Sequence, residues 1–273
     1  MPTTTPPPSA GDPGSRPTPY PLRAVRAARV ALHLVRAMLA AAFLYRFMAP
    51  ERRQAYKRRW SRRLLDLLAV RLEAEETVTP PGLIVCNHVS WLDIFVIDAL
   101  RPAAFVAMAE VRSWPLIGWL AGRNDTIFID RDDRLQIARI NERIVARLLS
   151  GFDVAIFPEG RTTDGARLLE FRTALLQPAV ATGRPVLPMA LSYHDADGSV
   201  SRAPSFAETS LARCFAAILA CRSLAARLSP LPPLASAGRS RRVLARAARA
   251  AIATRLGLPP ENRAPGTLPD PPA

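Results

Sequence analysis

The stretch of residues 83–93 constrains the fold more than any other part of the chain. Its first four residues are apolar and follow a Pro-Pro-Gly turn, which predicts a short buried strand over residues 83–86. Ser90 and Asp93 have the spacing of a capping box, so a helix is predicted to begin there. His88 and Asp93 then lie at the carboxyl end of a strand, which is the edge where open α/β sheets bind ligands.

His88 and Asp93 are residue types suited to proton transfer. A neutral imidazole near pH 7 can accept the proton of an alcohol. A carboxylate beside it holds one tautomer and stabilises the imidazolium that forms, as in a catalytic triad. The substrate hydroxyl can then attack directly, without a serine or cysteine nucleophile. The alternative is that Asp93 only caps the helix and His88 is an ordinary loop histidine, and this stretch alone leaves both open.

A second motif, Phe157-Pro158-Glu159-Gly160-Arg161, begins at the last of the strand-like residues 154–157. With three other blocks it resembles the glycerophospholipid acyltransferase family, whose best-known members are the 1-acyl-glycerol-3-phosphate acyltransferases. The resemblance covers residues 80–192. The other blocks are Asn87-His88 with Asp93, Ile127-Phe128-Ile129-Asp130-Arg131, and Val186-Leu187-Pro188.

The resemblance implies an enzyme that moves a fatty acyl group from acyl-CoA or acyl-carrier protein to the 2-hydroxyl of 1-acyl-glycerol 3-phosphate. The product would be phosphatidic acid, made in phospholipid biosynthesis. His88 would remove the hydroxyl proton while Asp93 holds it, and donors near the strand ends would stabilise the oxyanion. The resemblance implies no metal ion and no bound cofactor.

Four further residues are implied in binding the acceptor. Arg131 and Arg161 would hold its phosphate, because a guanidinium group can grip phosphate through two hydrogen bonds. Gly160 would let the backbone approach the ligand. Glu159 is expected to orient the glycerol hydroxyls or the arginines, since an acid beside a phosphate repels substrate. The structural alternatives are a surface ion pair for Arg131 and plain turn geometry for Gly160.

The chain departs from the family pattern at positions that bear on the acceptor. Met108 stands where the family usually has a lysine that helps to hold phosphate, and Arg112 is a candidate replacement. Arg161 supplies its cation one place earlier than in members that read Gly-Thr-Arg. These departures keep a second acceptor open, a lyso-ornithine lipid or another lysophospholipid. An alternative of another class is a catalytically silent, basic membrane-binding protein.

The charge of the chain predicts an anionic partner. The formal net charge is +14, and Lys57 is the single lysine among 37 basic residues. Such a surface favours anionic membranes or nucleic acid. Because no nucleic-acid fold or aromatic stacking motif follows the basic segment, we expect membrane phospholipids as partners and no nucleic acid. The family resemblance implies two further partners, a lysophospholipid acceptor and acyl-carrier protein. Three scattered cysteines predict reduced thiols facing the cytoplasm, and no zinc spacing is present.

Composition divides the chain into four parts. Residues 1–22 are predicted to be a disordered, Pro-rich leader without the features of a signal peptide. Residues 23–72 are predicted to form basic, amphipathic, membrane-associating helices. Residues 73–258 are predicted to form a single α/β domain with a mixed, largely parallel sheet flanked by helices. Residues 259–273 are predicted to be a disordered tail.

The N-terminal helical segment is apolar but interrupted by basic residues. Its longest uncharged run, residues 37–45, is far shorter than the roughly 20 residues that span a bilayer. An amphipathic helix lying in the membrane interface fits this pattern, while a tilted span and a helix packed on the protein's own core stay open. The cations clustered around Trp60 favour an anionic lipid surface. We therefore expect a peripheral or monotopic protein on the cytoplasmic face of the inner membrane.

Two later elements carry specific expectations. The predicted strand over residues 186–192 contains Pro188, which favours an edge strand or a bulge because proline lacks the N–H donor of a sheet. The basic, alanine-rich helix predicted over residues 240–256 is compatible with a place on the membrane or in solvent.

Overall fold

A seven-stranded mixed sheet forms the centre of the computed structural model, which describes residues 17–113, 117–129 and 134–259. Its strand order is β1-β7-β6-β2-β5-β3-β4, and every neighbouring pair is parallel except β6 and β7. This arrangement confirms the predicted α/β class. The strands are β1 (Val70–Ala74), β2 (Leu83–Cys86), β3 (Ala104–Met108), β4 (Ile127–Ile129), β5 (Val154–Ile156), β6 (Val186–His194) and β7 (Leu224–Pro230).

Helices cover both faces of the sheet. One face packs against α1, α2, α3 and α7, and the other packs against α5, α6 and α8. The helices are α1 (Tyr20–Leu39), α2 (Pro50–Leu67), α3 (Asp93–Leu100), α4 (Ile117–Arg123), α5 (Arg134–Leu149), α6 (Gln177–Thr182), α7 (Leu211–Ala220) and α8 (Arg241–Leu256).

Strand β2 lies near the middle of the sheet and connects the two layers of the core. Its residues alternate between the faces, with Ile84 and Cys86 in one apolar cluster and Leu83 and Val85 in the other. All four are fully buried. A continuous apolar run is what a parallel strand buried on both faces requires. The position of β2 therefore places the residues that follow Cys86 at the centre of the carboxyl edge.

The boundaries of the predicted parts differ from the structure at two places. The leader was expected to extend to residue 22, but α1 begins at Tyr20, and buried Thr18 donates its N–H to Ala220 O at 2.9 Å. The helical segment was expected to extend to residue 72, but α2 ends at Leu67 and residues 70–74 pair with β7. The positive φ of Ala69 (56°) ends the helix and starts this strand. Residues 1–16 and 260–273 lie outside the described residues.

Pro188 lies in an interior strand, so of the two alternatives, an edge strand or a bulge, the edge strand was wrong. β6 pairs with β2 on one side and with β7 on the other. The ladder between β6 and β7 begins only at Met189, one residue after the proline. The carbonyl of Pro188 accepts Leu231 N at 2.9 Å, and no N–H of residue 188 is needed there. On the β7 side the pairing is interrupted at the proline, between the isolated bridge of Val186 with Leu234 and the ladder that begins at Met189. The strand therefore tolerates a residue without an N–H at this position.

The closing helix α8 packs on the protein itself. Leu244, Ala248 and Ile252 are fully buried in the core. Arg249 is also buried, and it donates hydrogen bonds to the carbonyls of Leu168 and Leu169. One face of the basic helix is therefore part of the core.

Helix α1 has an unusual orientation, because much of its apolar side faces outward. With the π turn Ala40–Leu44 and the 3₁₀ turn Tyr45–Phe47, it forms a 28-residue helical segment, in which a window of 18 residues has a mean hydropathy of 1.6. Among the described residues, it is the one helix long and apolar enough to cross a membrane by length and composition. We call six of its exposed apolar residues the outer face of α1. They are Leu22, Val25, Leu32, Val35, Leu39 and Phe43.

The single lysine connects α2 to α3. Lys57 Nζ lies 3.2 Å from Asp98 Oδ2, and both side chains are nearly buried. Asp98 also accepts Ala103 N at 3.0 Å, and Lys57 donates to the carbonyl of Ala103. Burial raises the pKa of Asp98 to about 6, while Lys57 and the Ala103 N–H lower it.

We expect Lys57→Met to lower the free energy of unfolding by about 3 kcal/mol, near the lower end for a buried pair that loses one partner. The loss stays near the lower end of this range because removing Lys57 raises the pKa of Asp98 further, so that the buried carboxylate takes up a proton more readily. Arg63→Met is the matched control, since Arg63 and Asp66 are both more than half exposed and such pairs contribute at most about 1 kcal/mol. Urea unfolding of the two variants measures the difference, and equal losses would contradict a structural role for Lys57.

Candidate active site

Two loops meet at the carboxyl edge of the sheet, one after β2 and one after β5. His88 lies in the first loop and donates its backbone N–H to Glu159 Oε1 in the second, at 2.8 Å. Thr163 N donates to the carbonyl of His88 at 2.9 Å. Because β2 and β5 are parallel neighbours, their carboxyl ends lie side by side. The structure thus brings the two motifs of the sequence into direct contact.

The imidazole of His88 is bonded at one nitrogen and open at the other. Its Nδ1–H donates to Asp93 Oδ2 at 2.8 Å. In the described part of the chain, no hydrogen bond to Nε2 is present. The ring stacks on Phe157, with 4.0 Å between centroids and 11° between planes, and the side chain is 20% exposed. This arrangement holds the ring in one orientation and leaves Nε2 available to a substrate.

Asp93 is fully buried and accepts four hydrogen bonds. Oδ2 accepts His88 Nδ1–H, Val89 N at 2.7 Å and Ser90 N at 2.9 Å. The hydroxyl of Tyr193 donates to Oδ1 at 2.7 Å. Only one half of the predicted capping box forms, because Ser90 Oγ accepts Leu92 N and α3 begins at Asp93 itself. The four donors compensate for the loss of water around a buried carboxylate.

Tyr193 is a site residue that the sequence analysis missed. It lies in β6, is fully buried, and contacts Asp93 from a position 100 residues further along the chain. Burial raises the pKa of its hydroxyl well above the ordinary value of 10, with a further contribution from Asp93, so it stays a donor. The predicted strand stopped at residue 192, and no local pattern distinguishes Tyr193 from a core tyrosine. Only the pairing of β2 with β6 brings it to Asp93.

Asn87 attaches the same loop to β6. Its side-chain amide donates to the carbonyl of Leu191 at 2.9 Å, and its Oδ1 accepts Leu191 N at 2.8 Å. The side chain therefore replaces a peptide group in the ladder between β2 and β6. His88 begins its turn directly after this anchored position.

Glu159 has a different environment from the one expected. We expected it to orient substrate hydroxyls or arginines, but its two oxygens accept backbone N–H groups, Oε1 from His88 and Oε2 from Leu169 at 2.9 Å. The residue is 4% exposed. Burial raises its pKa to about 7, although the two N–H bonds and His88 lower it. Glu159 therefore holds the His88 loop against the loop that contains Leu169.

The remaining predicted binding residues lie near this edge or outside the described part. Gly160 has a φ of 76°, which favours glycine, and its N–H closes a turn onto Phe157 O at 3.0 Å. Arg161 is exposed and forms no hydrogen bond or ion pair with any described residue. Arg131 lies outside the described residues. Met108 ends β3, and the guanidinium of Arg112 lies 6.0 Å from the centre of the Phe128 ring.

Cys86 is unsuited to act as a nucleophile, and no metal centre is formed by the described residues. Burial raises the pKa of the Cys86 thiol well above its ordinary value of 9.0, and the Asp93 charge adds to this shift. A thiolate at that position is therefore disfavoured. No group of three or more His, Cys, Asp or Glu side chains is arranged to hold a metal ion in the described ranges.

Comparison with known proteins gives three consistent findings. A protein-family profile described as Acyltransferase matches residues 69–192. The 1-acyl-sn-glycerol-3-phosphate acyltransferase of Neisseria meningitidis serogroup B is 41% identical over 150 residues, which are 55% of this chain and 59% of that protein. The lyso-ornithine lipid O-acyltransferase of Pseudomonas aeruginosa is 38% identical over 204 residues, which are 73% of this chain and 78% of that protein.

A solved structure agrees with the fold. The crystal structure of the 1-acyl-sn-glycerophosphate (LPA) acyltransferase PlsC from Thermotoga maritima superposes with a TM-score of 0.62 at 18% identity. The match covers 86% of this chain and 96% of that one. At this identity the likeness concerns the fold. The chain spans less than two thirds of the length of the meningococcal relative.

We expect Tyr193→Phe to lower the free energy of unfolding by about 1–3 kcal/mol, because Asp93 Oδ1 would be left buried without its donor. Tyr20→Phe is the control, since Tyr20 is 80% exposed and its loss should stay within about 0.5 kcal/mol. Chemical denaturation monitored by circular dichroism measures both. A Tyr193→Phe protein as stable as the control would show that the bond to Asp93 contributes nothing.

Glu159 predicts a pH dependence of stability with a defined sign. Its pKa in the folded protein is about 7, above the ordinary value of 4.5, so the folded state binds the proton more tightly than the unfolded state. The free energy of unfolding should therefore fall as the pH rises from 4.5 to about 7. Subtracting the same curve for Glu159→Gln isolates this contribution. A difference between the two proteins that does not change across this range would contradict the raised pKa.

Proposed function

The chain belongs to the glycerophospholipid acyltransferase family, and on that premise we propose that it acylates the 2-hydroxyl of 1-acyl-glycerol 3-phosphate, forming phosphatidic acid. The acyl donor is a thioester, either acyl-CoA or acyl-carrier protein. The observation that carries this proposal is the His88–Asp93 pair with its free Nε2 at the carboxyl edge of the sheet. The identity with the meningococcal 1-acyl-sn-glycerol-3-phosphate acyltransferase supports the choice of acceptor.

The geometry of His88 gives a direct mechanism. Asp93 holds Nδ1–H, so Nε2 has the lone pair that accepts the proton of the acceptor hydroxyl. The oxygen attacks the thioester carbonyl carbon, forming the C–O ester bond. The C–S bond then breaks, and the proton on Nε2 passes to the departing thiolate. Throughout, the Asp93 carboxylate stabilises the imidazolium, as in a catalytic triad.

The acceptor headgroup is expected to contact arginines. Arg161 supports this role because it is exposed beside the His88 loop and is free of ion pairs with described residues. A guanidinium with two parallel N–H donors matches a phosphate group. Arg131 is assigned the same role by the family resemblance alone.

A lyso-ornithine lipid is the second candidate acceptor. Two observations favour it: the match to the Pseudomonas aeruginosa lyso-ornithine lipid O-acyltransferase covers 78% of that protein, and Met108 lacks the charge of the usual lysine. Ornithine carries a carboxylate and an amine in place of a phosphate, so it requires fewer cations at the site.

The proposed location is the cytoplasmic face of the inner membrane. The outer face of α1 supports a place in the lipid interface. Arg26 donates to Cys221 O at 2.9 Å, and buried Val30 and Ala37 hold the middle of α1 on the domain. A helix attached along its length fits an in-plane position better than a path across the bilayer.

The test is acyl transfer by wild type, His88→Ala and His194→Ala. Each protein is given acyl-CoA or acyl-carrier protein with 1-acyl-glycerol 3-phosphate, a lyso-ornithine lipid or a lysophosphatidylethanolamine. We expect wild type to prefer 1-acyl-glycerol 3-phosphate and His88→Ala to lose a factor of about a hundred or more, as for a missing general base. His194→Ala should keep its activity, because that ring bonds to Ser192, to the carbonyl of Gly198 and to Arg227, and to no residue of the His88 site.

The outcomes separate the alternatives. A preference for the lyso-ornithine lipid that is lost in His88→Ala would keep the mechanism and replace the acceptor. A wild type that binds vesicles but transfers no acyl group to any acceptor would instead favour a catalytically silent membrane protein.

A further inference from the structure

A cavity lined by basic and aromatic residues lies between α1 and α2, apart from the His88 edge. Its volume is about 320 Å³. The lining residues are His33, Arg36, Tyr56, Arg59, Trp60 and Arg63, which we call the α1–α2 cleft. Three arginines and two aromatic rings lie around one small space, and the cleft has no acidic residue in its lining.

The cleft is formed by contacts within the protein. His33 stacks on Trp60, with 4.7 Å between centroids and 6° between planes. His33 Nε2–H donates to the carbonyl of Trp60 at 3.0 Å, and Trp60 Nε1–H donates to the carbonyl of His33 at 3.3 Å. This reciprocal pair connects the two helices. The cleft is therefore in place before any ligand binds.

Two of the three arginines of the cleft have no acidic partner among the described residues. Lys57, Arg58 and Arg62 of α2 each contact an acidic residue. In the described ranges, Arg36 and Arg59 form no ion pair. Arg63 reaches Asp66 only at 3.8 Å on an exposed surface.

The positive charge around the cleft also affects the pKa of His33. It is lowered mainly by burial, and the charges of Arg63 and Arg36 lower it further, against the Trp60 carbonyl bond. Cations that converge without a counter-ion favour an anion between them. A phosphate matches the guanidinium groups best, because each can donate two hydrogen bonds to it.

An apolar surface borders the cleft. Leu32 and Leu39 lie four residues before and three residues after Arg36, on the same side of α1. They are 51% and 53% exposed and belong to the outer face of α1. A phospholipid carries a phosphate next to acyl chains in the same way. Free phosphate would use the cations and leave the apolar border unused.

We propose that the α1–α2 cleft binds the phosphate of an anionic phospholipid of the bilayer, with the acyl chains along the outer face of α1. The inference rests on the membrane location proposed above. It concerns a site separate from the acyl-transfer site, because no lining residue lies in the loops after β2 and β5. The bound lipid would hold the protein at anionic regions of the membrane.

The test compares two double variants that remove the same charge. Arg36→Gln with Arg59→Gln changes the cleft, and Arg29→Gln with Arg52→Gln changes exposed arginines of the same two helices outside it. Binding is measured to vesicles of phosphatidylcholine with and without phosphatidylglycerol. Diffuse attraction predicts equal losses, about thirtyfold for two arginines. We expect the cleft variant to lose at least about ten times more affinity for phosphatidylglycerol vesicles than its control, as for lost charge-assisted bonds.

Two further measurements complete the test. Equal losses in the two double variants would overturn the proposal in favour of diffuse attraction. Inorganic phosphate is also tested for stabilisation of the folded protein. If both double variants lose the same vesicle affinity, and phosphate stabilises wild type but not the cleft variant, the cleft binds free phosphate and the proposal is overturned as well. Acyl transfer in detergent micelles should be unchanged in both variants, so a failure of the cleft is distinguishable from a failure of the proposed activity.

Discussion

The site depends on one buried carboxylate. Asp93 has no access to water, and an unpaired charge in such a place costs several kcal/mol. Its four donors come from the turn after β2, from the ring of His88 and from Tyr193 on β6. The turn, the start of α3 and the neighbouring strand must therefore all be in place before the carboxylate is satisfied. The requirement that stabilises Asp93 also orients His88.

Glu159 supports the same histidine through its backbone. One carboxylate holds the imidazole and the other holds the peptide N–H of His88, while Phe157 covers the ring face. The contacts constrain the residue on several sides, yet none of them uses Nε2. The loops after β2 and β5 thus provide rigidity and leave the reactive atom free. Proton transfer from a bound substrate requires a catalytic group that is held rigidly in this way.

Local patterns predicted much of this arrangement. The apolar run before His88 and the capping spacing to Asp93 are short-range signals, and both placed the pair correctly. The role of Glu159 could not be predicted, because its partner Leu169 N lies ten residues away in a loop. Tyr193 was missed because only strand pairing brings it to Asp93. The edge strand expected for Pro188 was wrong because its tolerance depends on where the pairing with a neighbouring strand is interrupted.

The orientation of α1 has a practical consequence for handling the protein. In a helix on a water-soluble domain the apolar side faces the core, whereas here Leu32, Leu39 and Phe43 face outward. Aqueous buffer should therefore promote self-association through this helix. Deleting it would remove the exposed apolar surface, but it would also uncover Trp60 and remove the Arg26 donor to the carbonyl of Cys221. Detergent or lipid that covers α1 is thus a better route to a well-behaved sample than a shorter chain.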